Sequence, residues 1–241
     1  VVGAGHPEVT RVLFVGNSFT YFHNLPELVV ALARPDRAVA VATIATPGAV
    51  LGETWASGAP AAALRDGFDY IVLQEQSTLG GELLVDGIPR PQDSAKFHAS
   101  VRSAIADVAG TSATPVLYMT WARQDDPDAQ HALAHAYTSI GKELDVAVSP
   151  VGTAWRTALT ERPDLVLHDE DASHPAPAGS YLAACVLTAT LLGLDPRGRS
   201  RRITGQAIDS EGVLGELDST LVDLSEADAA YLQDVAWRAA C

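Results

Sequence analysis

Ser18 stands within "RVLFVGNSFTYFHNLPELVVAL" (11–32), between a run apolar enough for a buried strand and one that can form a helix. A serine hydroxyl in such a turn becomes a nucleophile only when a base within hydrogen-bond reach takes its proton. That base is usually a histidine, held in one tautomer by a carboxylate. The chain has seven histidines, so a histidine by itself selects nothing. The segment "LHDEDASHPAPAGSYLAACVL" is more selective, because Asp171 and His174 lie three residues apart in a polar loop ahead of a long apolar run. At that spacing the carboxylate can reach the imidazole without help from elsewhere in the chain. Taken alone, the segment reads equally as a solvated acidic loop before a helix.

Acyl transfer also needs donors for the tetrahedral oxyanion. The backbone N–H of Ser18 offers one. Gly48 in "ATPGAVLGETW" offers a second, since a residue without Cβ lets its backbone approach a ligand. The side-chain amide of Gln76 in "LQEQST" offers a third. Each also reads as ordinary turn or strand-end chemistry, and only their joint placement favours a site.

That placement follows from the elements. Short apolar runs at 11–15, 38–45, 70–74, 115–121 and 145–150 read as strands covered on both faces. Helical patterns fall at Pro26–Ala33, near Ala59–Asp66, at Asp93–Ala109, Pro127–Leu144, near Thr153–Thr160, and at 177–192 and 225–240, the last capped by Ser225. Strand–helix alternation predicts a three-layer α/β/α unit with a five-stranded parallel sheet, and one domain over 1–241. Ligands of such sheets bind at the carboxyl ends of the strands. "GNS", "TPGA", "QEQS" and "WAR" all fall on that edge. The stretch 77–92 reads as a long irregular loop, a length often tied to function.

Composition narrows the partners. With 47% hydrophobic and 19% charged residues the 241-residue chain can bury a full core. Its formal net charge of -14 repels phosphate backbones and argues against a nucleic-acid partner. No apolar run is long enough for a membrane span, and "VVGAGHPEVT" lacks the features of a leader. The compartment stays open between cytoplasmic and mature secreted, and the oligomeric state is unknown. Cys185, in an apolar run, and Cys241, at the end, read as unpaired thiols. Acidic clusters at 125–128 and 169–171 have no His/Cys spacing that completes a zinc site, so no metal and no cofactor is expected.

"LFVGNSFTYFHNLPELV", "YIVLQEQS", "LYMTWAR" and "HPAPAGSYLAACV" together resemble the SGNH hydrolases, the GDSL-like esterase/lipase superfamily, and within it a bacterial branch of largely uncharacterised domains. The similarity spans about residues 11–193. It implies a flavodoxin-like fold, with Ser18 as nucleophile, His174 as general base and acid, Asp171 as the orienting carboxylate and Gly48 as the oxyanion glycine. Gly52 is a second candidate for that last role. The superfamily's third-strand turn is Gly-x-Asn-Asp, whereas this chain has "QEQS", which puts Gln76 where the Asn stands.

Several residues compete for supporting roles. Trp55, Tyr118, Trp121 and Arg123 are candidates for the substrate pocket, although aromatics at strand ends also serve as core. His168 is a rival base with an expected structural role, and His23, His98, His131 and His135 read as surface residues. Strand alternation sets Glu75 opposite Gln76, so one of the two faces the site. The reading is a cofactor-free serine esterase for small acyl esters, including acetyl groups on carbohydrates. An acyltransferase using the same acyl-enzyme, or a ligand-binding module, are the alternatives.

Overall fold

The computed structural model describes residues 9–34, 36–81 and 83–241; the first eight residues of the stretch read above for a leader lie outside them. In chain order the elements are β1 (Thr10–Gly16), α1 (Ser18–Tyr21), α2 (Leu25–Ala33), β2 (Val39–Ala45), α3 (Leu51–Ala56) and α4 (Ala59–Ala63). There follow β3 (Tyr70–Gln74), β4 (Leu83–Val85), β5 (Ile88–Arg90), α5 (Ala95–Val108), β6 (Thr114–Tyr118) and α6 (Gln130–Leu144). The last are β7 (Ala147–Ser149), α7 (Val151–Glu161), α8 (Pro177–Leu192), β8 (Arg202–Ile208), β9 (Leu214–Asp223) and α9 (Glu226–Ala240).

Five strands form one parallel sheet in the order β2-β1-β3-β6-β7. Successive strand residues point to opposite faces, so the continuous apolar runs feed two cores. Val12, Phe14, Val72 and Val116 pack with α2, α7, α8 and α9. Leu13, Val15, Ile71, Leu73 and Leu117 pack with α3, α5 and α6. The middle of α8, Tyr181 to Leu187, is fully buried, which is why that helix is apolar all round. Burial of each large aliphatic side chain contributes about 1.5–3 kcal/mol. Among the described residues no helix is long and apolar enough to cross a membrane, and Cys185 and Cys241 are free thiols.

The structure departs from the sequence reading at short or weakly apolar segments. The stretch 77–92 is not wholly irregular, since it carries the β4–β5 hairpin. A second hairpin, β8–β9, was not anticipated, because much of β9 is exposed and its residues show little apolar pattern. The one-turn α1 and the six-residue α3 were also missed; α3 is preceded by Val50, which offers no hydroxyl or carboxylate cap. β6 ends at Tyr118 rather than 121, and Met119 N–H bonds instead to the carbonyl of Ser149.

The order of the sheet locates the site. β1 and β3 are neighbours, but the chain leaves β1 toward β2 on one side and leaves β3 toward β6 on the other, so the two connections diverge and open a crevice at the β1/β3 carboxyl ends. At the rim of that crevice Gly16 ends β1 directly against the side chain of Gln74, the last residue of β3. A Cβ on Gly16 would fall well inside contact distance of Gln74 Oε1 and Thr20 Oγ1. Overpacking of this kind costs about 1–3 kcal/mol. Gly16→Ala is therefore expected to lower the unfolding free energy by that amount, read in urea as a lower midpoint with an unchanged slope.

Candidate active site

The turn after β1 is fixed by side-chain amides. Asn17 caps α1, its Oδ1 accepting from Phe19 N at 3.0 Å, while its Nδ2 donates to the carbonyl of Ala49 at 2.9 Å. The Asn17 N–H and the Thr20 hydroxyl both donate to Gln74 Oε1, each at 2.8 Å. Gln74 Nε2 in turn donates to the carbonyl of Glu75 at 2.7 Å. Ser18 is thus presented from a turn tied to the ends of β3 and of the β2–α3 loop. As the first residue of a helix its N–H has no intrahelical acceptor.

Ser18 Oγ lies 2.7 Å from His174 Nε2, and His174 Nδ1 is in direct contact with Asp171 Oδ2. An ionised carboxylate only accepts, so Nδ1 carries the proton and Nε2 is left to accept from Ser18. The other oxygen, Asp171 Oδ1, accepts the backbone N–H groups of Ser173 and His174 at 2.9 and 2.8 Å. Partial burial pulls the Asp171 pKa up, but the bonds from His174 and these two N–H groups outweigh it and leave it below the usual carboxylate range. Closing this turn places Ala172 in the left-handed region at φ 59°. Residues beyond β6 hold the loop from below: Trp121 Nε1 donates to Ser173 O at 3.0 Å, Gln124 N to Ala172 O at 2.9 Å and Arg123 Nη2 to Asp171 O at 3.2 Å.

A small pocket of about 120 Å³ opens beside this chain, bordered by Ser18, His174, Gly48, Gln76, Thr78 and Arg123. Gly48 sits at φ 68°, a left-handed conformation that glycine adopts without Cβ strain, and nothing lies within 4 Å of where a Cβ would stand. The Gln76 amide oxygen accepts from Thr78 Oγ1 at 2.5 Å, which turns its nitrogen toward Gly48 O at 3.4 Å at the border of the pocket. Glu75 points away and is buried. Its Oε1 accepts Leu51 N at 3.1 Å and Gln76 N at 2.7 Å, joining the Gly48 loop to the Gln76 turn.

Of the four pocket candidates named from the sequence, only Arg123 borders this pocket. Trp55 is a correction: it is buried between α3 and α5, its Nε1 donating to Asp107 at 2.8 Å. Tyr118 is fully buried in the core with its hydroxyl on Phe19 O at 3.3 Å, and Trp121 is buried and stacked on Trp155. Apolar burial won over the strand-end position in all three cases. His168 is buried, bonded to Ala122 O at 2.9 Å, and desolvation lowers its pKa. His131 and His135 are exposed, but His23 and His98 are half-buried and bonded, the first to Ser180 and the second to Ala136 O. Sequence reasoning missed Phe22, whose ring lies on His174, and Thr78 and Pro89, which border the pocket from the 77–92 stretch. Gln74 left a readable signal, as the one amide ending an otherwise apolar strand.

No protein-family model and no curated protein matches the chain. Solved structures do. A candidate SGNH hydrolase of Slackia heliotrinireducens is similar at 25% identity and a TM-score of 0.63, over 76% of this chain and 100% of that one. A DUF4886 family protein of Bacteroides uniformis matches at 17% identity and 0.66, over 96% and 95% of the two chains. Axe2, an acetylxylan esterase of Geobacillus stearothermophilus, matches at 13% and 0.59, over 79% and 97%. The chain has the α/β fold of the SGNH hydrolases and falls within that superfamily of hydrolases.

The burial of Glu75 has a consequence for stability. Desolvation raises its pKa from the ordinary 4.5 to about 7, against the two backbone bonds that pull it down. Between those values the unfolded chain has lost the proton and the native one keeps it, so this group's contribution makes stability fall as pH rises. The size is on the order of 3 kcal/mol. Glu75→Gln keeps an acceptor for Leu51 and Gln76 but cannot ionise. In urea unfolding, the variant is expected to gain on wild type steadily from pH 4.5 to 7, and by nothing further above that. A stability difference flat across this range would show that Glu75 does not titrate there.

Proposed function

We propose that the protein is a serine esterase for short acyl esters, with O-acetyl groups on carbohydrates as the favoured substrate class. The observation that carries this is the unbroken hydrogen-bonded chain from Asp171 through His174 to Ser18, opening on a pocket of about 120 Å³. In this reading Ser18 Oγ attacks the ester carbonyl as its proton passes to His174 Nε2. The oxyanion meets the N–H groups of Ser18 and Gly48 and the Gln76 amide. His174 then protonates the leaving alcohol, and water activated by the same imidazole releases the acid. The pocket leaves room for a short acyl group only. On the other side of Gly48 and Gln76 lies a wider cleft of about 640 Å³, reached by Gly52, Glu53, Lys96 and Ser100. Its polar and backbone lining suits a hydroxylated alcohol better than a lipid chain, and an acetylxylan esterase stands among the structural neighbours.

A p-nitrophenyl ester series tests the reading. Turnover should be highest for acetate and fall steeply beyond butyrate. Ser18→Ala and His174→Ala should each lose on the order of 10³-fold or more in kcat, and by similar amounts, because the two act as a unit. His168→Ala should instead shift the melting temperature with turnover nearly kept. A folded Ser18→Ala protein with wild-type activity would sink the assignment. For Gln76, a neutral donor aimed at developing charge is worth about 3 kcal/mol. Gln76→Ala should therefore lower kcat about 10²-fold with little change in KM. A raised KM with kcat kept would reduce Gln76 to a tie for the 77–92 stretch.

A further inference from the structure

The segment between α1 and α2 is strained in a way that burial does not explain. His23 (φ 53°, ψ 26°) and Asn24 (φ 47°, ψ 55°) are consecutive non-glycine residues in the left-handed region. A single left-handed residue is uncommon outside glycine, and two in a row persist only where the surroundings over-determine them. Here three elements do so. His23 Nδ1 bonds to the Oγ of Ser180, which is fully buried on α8, at 2.9 Å. Asn24 Nδ2 donates to Gln206 O on β8 at 2.8 Å, and Tyr21 OH donates to Ser210 O in the β8–β9 turn at 2.8 Å. Pro26 then starts α2 with a fixed φ.

This turn sets Phe22 flat on the imidazole of His174, with ring centroids 4.2 Å apart and an interplanar angle of 11°. Phe22 is itself only half-buried, so a relaxed turn could leave its ring partly in water at modest cost. Phe19 meets the imidazole in a T-shaped contact, at 5.5 Å and 84°. Phe19 stacks on Trp121 at 4.8 Å, and Trp121 on Trp155 at 4.1 Å. The base is thus the penultimate ring of an aromatic column rooted in the core, and Phe22 is its outer cap.

We propose that Phe22 is a positioning residue for His174: the strained His23–Asn24 turn holds its ring on the imidazole face, fixing the rotation that keeps Nε2 on Ser18 Oγ. The inference rests on the serine esterase reading. Asp171 restrains the imidazole only at Nδ1, about which the ring can still swing, and a flat stack restrains that swing without taking up a ring nitrogen. The same face lies over positive charge when the imidazole takes the serine proton, and an aromatic face attracts a cation there.

The test compares wild type, Phe22→Leu and Phe22→Tyr with two readouts. One is kcat and KM on p-nitrophenyl acetate. The other is the second-order rate at which a small fluorophosphonate labels Ser18, which reports nucleophile activation apart from substrate fit. Phe22→Leu is expected to lower kcat and the labelling rate together, about tenfold, or about 1.4 kcal/mol of barrier. KM and melting temperature should stay near wild type, and Phe22→Tyr, which keeps the aromatic face, should restore both rates. Wild-type rates in Phe22→Leu overturn the inference. So does a change confined to KM with labelling unaltered, which would make Phe22 a wall of the substrate pocket. A wild-type protein that the fluorophosphonate fails to label at Ser18 overturns the esterase reading itself, and this inference with it.

Discussion

One buried amide holds together the parts from which the site is assembled. Gln74 ends a strand whose other residues are chosen for apolar packing, and its side chain is completely shielded from water. Its carbonyl oxygen receives the Asn17 N–H and the Thr20 hydroxyl, and its nitrogen reaches the carbonyl of Glu75. In a low-dielectric interior these bonds are strong, and leaving any of the groups unpaired is costly. The turn that presents Ser18 is therefore pinned to the end of the neighbouring strand rather than left to loop entropy. The absence of a side chain at Gly16 follows from the same contact, since a Cβ would occupy the space of the amide oxygen.

From this fixed point the two sides of the pocket are built by different physics. On the Gly48 and Gln76 side, backbone geometry dominates. Asn17 donates to Ala49, and one oxygen of Glu75 accepts from both Leu51 and Gln76, so two loops from different strands are joined through buried side chains. On the His174 side, ring packing and a short turn dominate. Trp121 reaches from beneath to hold Ser173, and the rings of Trp155, Trp121 and Phe19 bring the apolar core up to the imidazole. The wet rim is left to Asp171, His174 and Arg123.

The carboxylates at the two sides illustrate how environment decides charge. Asp171 is half in water and collects three hydrogen bonds, so it is held ionised beside the imidazole. Glu75 also accepts two backbone N–H groups, yet burial dominates and lifts it toward neutrality. With its pKa raised to about 7, Glu75 is only partly ionised near neutral pH, so it places less negative charge beside Gln76 than an ordinary carboxylate would. The sequence spacing of the two acids contains none of this distinction.

Local chemistry was written in the chain. The apolar runs of β1, β3 and β6, the fully apolar α8 and the Ser225 cap of α9 follow from side-chain type and period, and they specify the parallel three-layer fold. The pairing of Asp171 with His174 is also local, because three residues and one tight turn suffice to join them. What pairwise spacing cannot contain is contact across long separations in chain. Ser18 meets His174 across 156 residues, and His23 meets Ser180 across 157. Trp55, Tyr118 and Trp121 have the residue types of a pocket, but packing placed them in or under the core. Phe22 has the type of a core residue, and the left-handed turn after it placed it on the imidazole instead. Residue type fixed which interactions were available; the direction in which each side chain left the backbone, set by helices and hairpins packed from elsewhere, decided which ones formed.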